Sequence, residues 1–183
     1  MGNSKSRKKA ASQRKIQIQA KALQVNEVPS APRFVADVML GRLAKWLRIA
    51  GFDVLYSNRY IDEELIRLSS LEHRILLSRD TRLLVRKSVC RFVFLESGKI
   101  LEQMRQVFRA TGVKNLPGLL SRCLYCNEVL AEVPRERARD LVPPYVFETQ
   151  AKFTSCSACG RIYWAGTHRQ AVLRTLESLL TSG

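Results

Sequence analysis

Residues 75–84 read ILLSRDTRLL, an apolar run that halts at Ser78-Arg79-Asp80 and resumes at helical spacing. A buried strand handing over to a helix explains the change of period, and it leaves a carboxylate, Asp80, at the junction. A single Asp there is a helix cap. Its meaning changes if other junctions carry one too.

Upstream, FVAD (34–37) reads as a strand, and MLGRLAKWLRIAG (39–51) has apolar residues at 39, 40, 43, 46, 47 and 50 before Gly51. That is the stripe and stop signal of a helix. DVLYS is a second strand and DEELIRLSSLE a helix with Leu65, Ile66 and Leu68 inward. RILLS is the third strand, DTRLLVRK a short helix, CRFVFLE a fourth strand, and KILEQMRQVFRATG a helix stopping at Gly112. Such alternation predicts an α/β domain with a central parallel sheet covered on both faces. It ceases after Leu116-Pro117-Gly118, where a cysteine-bearing unit begins that closes with a helix at 169–180. The expected division is a basic arm over 1–32, an α/β domain over 33–118, and a small C-terminal unit over 119–183.

Two further carboxylates stand at equivalent junctions: Asp37 after the first strand and Asp62 at the start of the helix after the second. Residues just beyond strand C-termini share one edge of a parallel sheet, where such folds place ligands. Of five Asp in the chain (37, 53, 62, 80 and 140), three occupy these junctions. Ser, Thr or Asn would cap as well without mutual repulsion, whereas neighbouring carboxylates disfavour one another's ionisation unless a cation intervenes. By spacing alone, a Mg²⁺ or Mn²⁺ site and three independent caps fit equally. Glu63 and Glu96 are further candidate ligands.

Cys123-x-x-Cys126 and Cys156-x-x-Cys159 are two knuckles that can close a tetrahedral zinc site, whereas a redox pair needs only one. Structural zinc is the expectation. Cys90, beside an apolar strand, reads as a small buried residue, and Trp164 as core of the small unit. Five cysteines with no recognisable secretory core point to a reducing, cytoplasmic compartment.

The net charge is +15, with excesses of +7, +6 and +2 over residues 1–33, 34–118 and 119–183. A basic excess of this size favours a polyanion, RNA or DNA, as partner. The arm, rich in Ser, Gln, Lys and Ala, reads as mostly disordered with a transient helix near Gln13–Leu23. Its MGNSKS start fits a myristoylation pattern at Gly2, and its scarcity of acids fits a mitochondrial transit peptide in a eukaryote, although Lys outnumbers Arg. No apolar run is long enough for a membrane span.

The stretches FVADVMLGRLAKWLRIAGFDVLYS and DEELIRLSSLEHRILLSRDTRLL resemble the PIN-like ribonuclease domain of the Mut-seven C-terminal RNase family. That family joins such a domain to a zinc ribbon, and SRCLYCNEVL and CSACGRIYWAGTH are similar to the ribbon, in the same order. The resemblance covers about residues 33–175. It implies a PIN-like three-layer fold and a metal site at Asp37, Asp62 and Asp80, the chemistry being divalent-ion hydrolysis of RNA phosphodiesters. Arg42, Arg48 and Arg79 are then candidates for binding RNA phosphates, and His168 matches the terminal Gly-x-His. Two other readings compete: a non-catalytic RNA-binding or ribosome-assembly factor on the same fold, and a protein-interaction module whose acids only cap helices. The charge disfavours the second of these.

Overall fold

The computed structural model describes residues 10, 12–15, 18, 31–166 and 169–181. Most of the arm, including Gly2, lies outside the described residues, as does His168.

Among the described residues, strands β1 (Phe34–Ala36), β2 (Val54–Tyr56), β3 (Ile75–Ser78) and β4 (Phe92–Phe94) form one parallel sheet in the order β2-β1-β3-β4. Helices α1 (Gly41–Ile49), α2 (Asp62–Leu71) and α3 (Thr81–Leu84) make the crossovers, and α4 (Ile100–Thr111) follows β4. Each residue of β1 and β3 is buried, because helices cover both sides of the sheet. Phe34, Ala36, Ile75 and Leu77 face α1 and α4 with Leu43, Leu47, Met104 and Phe108. Val35 and Leu76 face the opposite way, with Leu65 and Leu68 of α2 and Leu83 and Leu84 of α3. This alternation along the strands gives three layers, as the sequence led us to expect.

Ile18 of the arm is 1% exposed and packs into the second of these cores. The helix after β1 begins later than residue 39, since Val38–Leu40 form a 3-10 turn capped by Asp37. The helix after β3 shrinks to Thr81–Leu84, because past Leu84 no side chain before Val89 is buried to hold another turn. Gly112 ends α4 in the left-handed conformation, φ +61°. Gly51 has φ +96°, and a Cβ there would collide with the backbone of Gly118. It therefore ends α1 and also lets the linker to the second unit pass.

That unit has an antiparallel sheet of β5 (Ala131–Val133), β6 (Phe153–Ser155) and β7 (Ile162–Trp164), in the order β5-β6-β7. Between β5 and β6 lie two short helices, α5 (Arg135–Ala138) and α6 (Pro144–Thr149). Its small core is Ala138, Val142 and Phe153, with Phe147 stacked on Phe153 at 6.4 Å. Trp164, expected in that core, is 38% exposed, and Phe153 and Phe147 take the aromatic positions there instead. Cys90 is likewise exposed, since the fourth strand begins only at Phe92. The last helix, α7 (Arg169–Thr181), returns to the first domain, burying Leu176 and Leu179 against the α1/α4 core. No helix among the described residues is long and apolar enough to cross a membrane.

Candidate functional site

The C-terminal ends of the strands carry the expected carboxylates. Asp37 stands one residue past β1 and is 5% exposed; its N–H still donates to the Leu77 carbonyl at 3.0 Å, extending the ladder. One of its oxygens accepts the Val38 N–H at 2.6 Å and the other the Ser78 hydroxyl at 2.5 Å. Ser78 Oγ in turn accepts the Asp80 N–H at 2.9 Å. A fully buried hydroxyl thus ties the ends of β1 and β3 together. The sequence signalled Ser78 only as the polar end of an apolar strand. Asp80 caps α3 by accepting the Arg82 N–H at 2.7 Å.

Asp62 opens α2 but caps nothing. Its carboxylate binds Arg86 at 2.8 Å, and Glu63 binds the same guanidinium at 2.9 Å. That hydrogen bond holds Glu63 below the usual carboxylate range. Glu96 is exposed and 3.7 Å from Lys15. The three Asp therefore share an edge, but they do not close on one another. Among the described residues, only the four cysteines bring three or more potential ligand atoms within 4.8 Å. The oxygen-only character of Asp37 and Asp80 suits a hard divalent cation, and each has lone pairs beyond those already engaged.

Arg42, in the first turn of α1, and Arg79, between Ser78 and Asp80, are exposed beside this edge. Arg48 is not. It was expected to meet RNA, but it is 3% exposed and wholly used inside the protein. Its guanidinium donates to the Val54 carbonyl at 2.7 and 3.0 Å and to the Leu124 and Tyr125 carbonyls at 2.9 and 3.0 Å. Burial lowers its pKa, yet a guanidinium so supplied with carbonyls stays charged. Arg48 is a bolt between the two units.

The same junction uses residues that the sequence did not single out. Asn127 accepts the Val54 N–H at 2.9 Å and donates to Asp53 at 2.7 Å. Arg74, 4% exposed, donates to both Asp53 oxygens. Burial alone would raise the Asp53 carboxyl, but hydrogen bonds from Arg74 and Asn127 outweigh it and hold it below the usual range. Asn127 and Arg48 together cover the outward N–H and C=O of Val54, closing the open edge of β2.

Cys123, Cys126, Cys156 and Cys159 form the compact cluster. Each knuckle turns through a left-handed residue directly after its second cysteine, Asn127 at φ +69° and Gly160 at φ +69°. The N–H of each returns to the carbonyl of the first cysteine, at 3.0 and 2.9 Å. The Cys123 and Cys159 sulfurs are 3.7 Å apart, close to the roughly 3.8 Å edge of a tetrahedron with 2.3 Å Zn–S bonds. Cys159 is lowered to about 6 by hydrogen bonds from the Arg161 backbone and side chain, so it readily supplies a thiolate. With four sulfurs and no open position, the cluster suits a structural zinc ion, not a hydrolytic one.

The family model described as Mut7-C RNAse domain matches residues 32–176, a span holding both the carboxylate edge and the cysteine cluster. No curated protein and no solved structure gives a match.

Proposed function

The chain belongs to the Mut7-C RNAse domain family, and on that premise we propose that it hydrolyses RNA phosphodiester bonds at the carboxylate edge. Asp37, Asp62 and Asp80 would hold Mg²⁺ or Mn²⁺, with Glu63 or Glu96 as a fourth acid. When bound, such an ion polarises the phosphoryl oxygen and lowers the pKa of an attached water. The observation that carries this reading is the buried Asp37 carboxylate, fixed by Ser78 next to Asp80 at the C-terminal edge of a parallel sheet. A cap alone has no use for that burial, since solvent-exposed Asp caps equally well.

The chain's own residues then divide the remaining work. Ser78 orients Asp37 and fixes the backbone that presents Asp80. Arg42 and Arg79 are exposed and suit bidentate binding of substrate phosphates. Zinc in the ribbon folds the second unit and takes no part in the chemistry. The boundary near residue 118, and RNA binding by the basic arm, belong to the same proposal.

A second reading has its own observation. Arg86 already pairs with both Asp62 and Glu63 and offsets part of their charge, which would let the edge persist without a cation in a non-catalytic RNA-binding or ribonucleoprotein-assembly factor. The deciding experiment incubates zinc-loaded protein with labelled single-stranded and structured RNAs, with and without Mn²⁺. Cleavage that requires Mn²⁺ is expected. Tight RNA binding without cleavage under any divalent ion would favour the assembly factor.

A further inference from the structure

The two units meet on the surface at a cluster of one aromatic ring and two cations. Tyr125, between the cysteines of the first knuckle, is 58% exposed. The Arg161 guanidinium, just past the second knuckle, lies over its ring at 4.0 Å from the centroid. Lys45 of α1 approaches the same ring at 5.3 Å. All three side chains face solvent. The knuckle that carries Tyr125 is held from beneath, because Arg48 binds the carbonyls of Leu124 and Tyr125. The ring is thus presented outward on a backbone that is already fixed, so little further ordering is needed when a ligand arrives.

Helix α1 runs from beside the carboxylate edge to this cluster. Arg42, Lys45 and Arg48 are spaced three residues apart on α1, so they form one stripe rising about 4.5 Å per step. The stripe starts at the exposed Arg42, close in sequence to Asp37, passes Lys45 at the Tyr125 ring, and ends in the buried Arg48 under the knuckle.

We propose that Lys45, Tyr125 and Arg161 form a docking site for the single-stranded part of an RNA, with Arg42 leading the strand toward the carboxylate edge. An aromatic ring and a guanidinium plane both offer faces for unpaired bases, and the flanking cations take the phosphates. A duplex hides its base faces and would gain only the phosphate contacts. The site rests on the ribonuclease reading for its purpose but not for its test.

The test measures binding, without added divalent ion, of fluorescent oligouridine and of a blunt-ended RNA duplex to the zinc-loaded full chain. Tyr125→Ser should weaken oligouridine binding about tenfold, the scale of one lost stacked base. Lys45→Gln, which leaves the knuckles untouched, should weaken it severalfold and lower the salt slope by about 0.7. Duplex affinity should change less than twofold in Tyr125→Ser, whereas Lys45→Gln, having lost a phosphate contact, should weaken the duplex as well. Unchanged oligouridine binding in both variants with zinc retained, or an equal loss for the duplex in Tyr125→Ser, would overturn the site. Mn²⁺-dependent cleavage by the wild type alongside unchanged binding would overturn the docking site and leave the catalytic reading standing. Selective loss of binding in Tyr125→Ser, with no cleavage by the wild type, would support the site and count against catalysis.

Discussion

Asp53 and Asp37 are both partly or wholly buried aspartates, yet their partners give them opposite roles. Asp37 is bound by a hydroxyl and a backbone N–H, neutral donors that leave its charge uncompensated. Asp53 is bound by Arg74 and Asn127, so its charge is spent on architecture. A carboxyl held below its ordinary value adds stability above its unfolded pKa of about 3.9, and that stability is lost as pH falls through the folded value. Chemical denaturation of zinc-loaded protein between about pH 6 and about pH 3 should therefore show a loss on the acid side that is smaller in Asp53→Asn. Identical acid limbs would show that the Arg74–Asp53–Asn127 contacts contribute nothing. The positions of Asp37, Asp62 and Asp80 were legible in the sequence, because a change of hydrophobic period marks each junction. Asp53 and Arg48 were not. Their key partners are 74 and 76 residues away, and for Arg48 they are backbone carbonyls that leave no trace in side-chain pattern.

At the scale of elements, α1 is the part most fully determined by its own residues and also the part that does most. Its apolar stripe sets Leu43 and Leu47 into the core, its first turn carries Arg42, and its last turn carries Arg48 into the ribbon. The helices α5 and α6 leave no signal in the sequence, since elements of four and six residues are too short to show a period. The packing of α7 was equally hidden, since its apolar face says that it must be buried but not against which unit. Arg48→Met should keep the apolar stem and remove four hydrogen bonds, leaving the Leu124, Tyr125 and Val54 carbonyls without this donor. A cost of about 3 kcal/mol or more in denaturant unfolding is expected, with faster proteolysis in 119–133 and one zinc per chain retained. Unaltered stability would contradict the bolt between units.

The whole molecule is an α/β domain and a cysteine module locked side by side, with the carboxylates on one edge and the cysteine knuckles against β2. Burial of Ile18 brings part of the arm into the same body, so the arm is more than a source of charge. Asp37 is the decisive residue, a buried acid that makes no ion pair among the described residues. The most direct measurement is Mn²⁺-dependent cleavage of labelled RNA by Asp37→Asn, with zinc content and unfolding midpoint checked against wild type. The substitution preserves shape and the Val38 cap while removing the charge; its NH2 takes the place of the oxygen that accepts from Ser78, so that one bond is lost. Cleavage is predicted to fall by about a hundredfold or more, the scale of losing one charge-stabilising group, with zinc unchanged and stability lower by no more than about 1–3 kcal/mol for the lost Ser78 bond. Wild-type cleavage by folded, zinc-loaded Asp37→Asn would contradict the account.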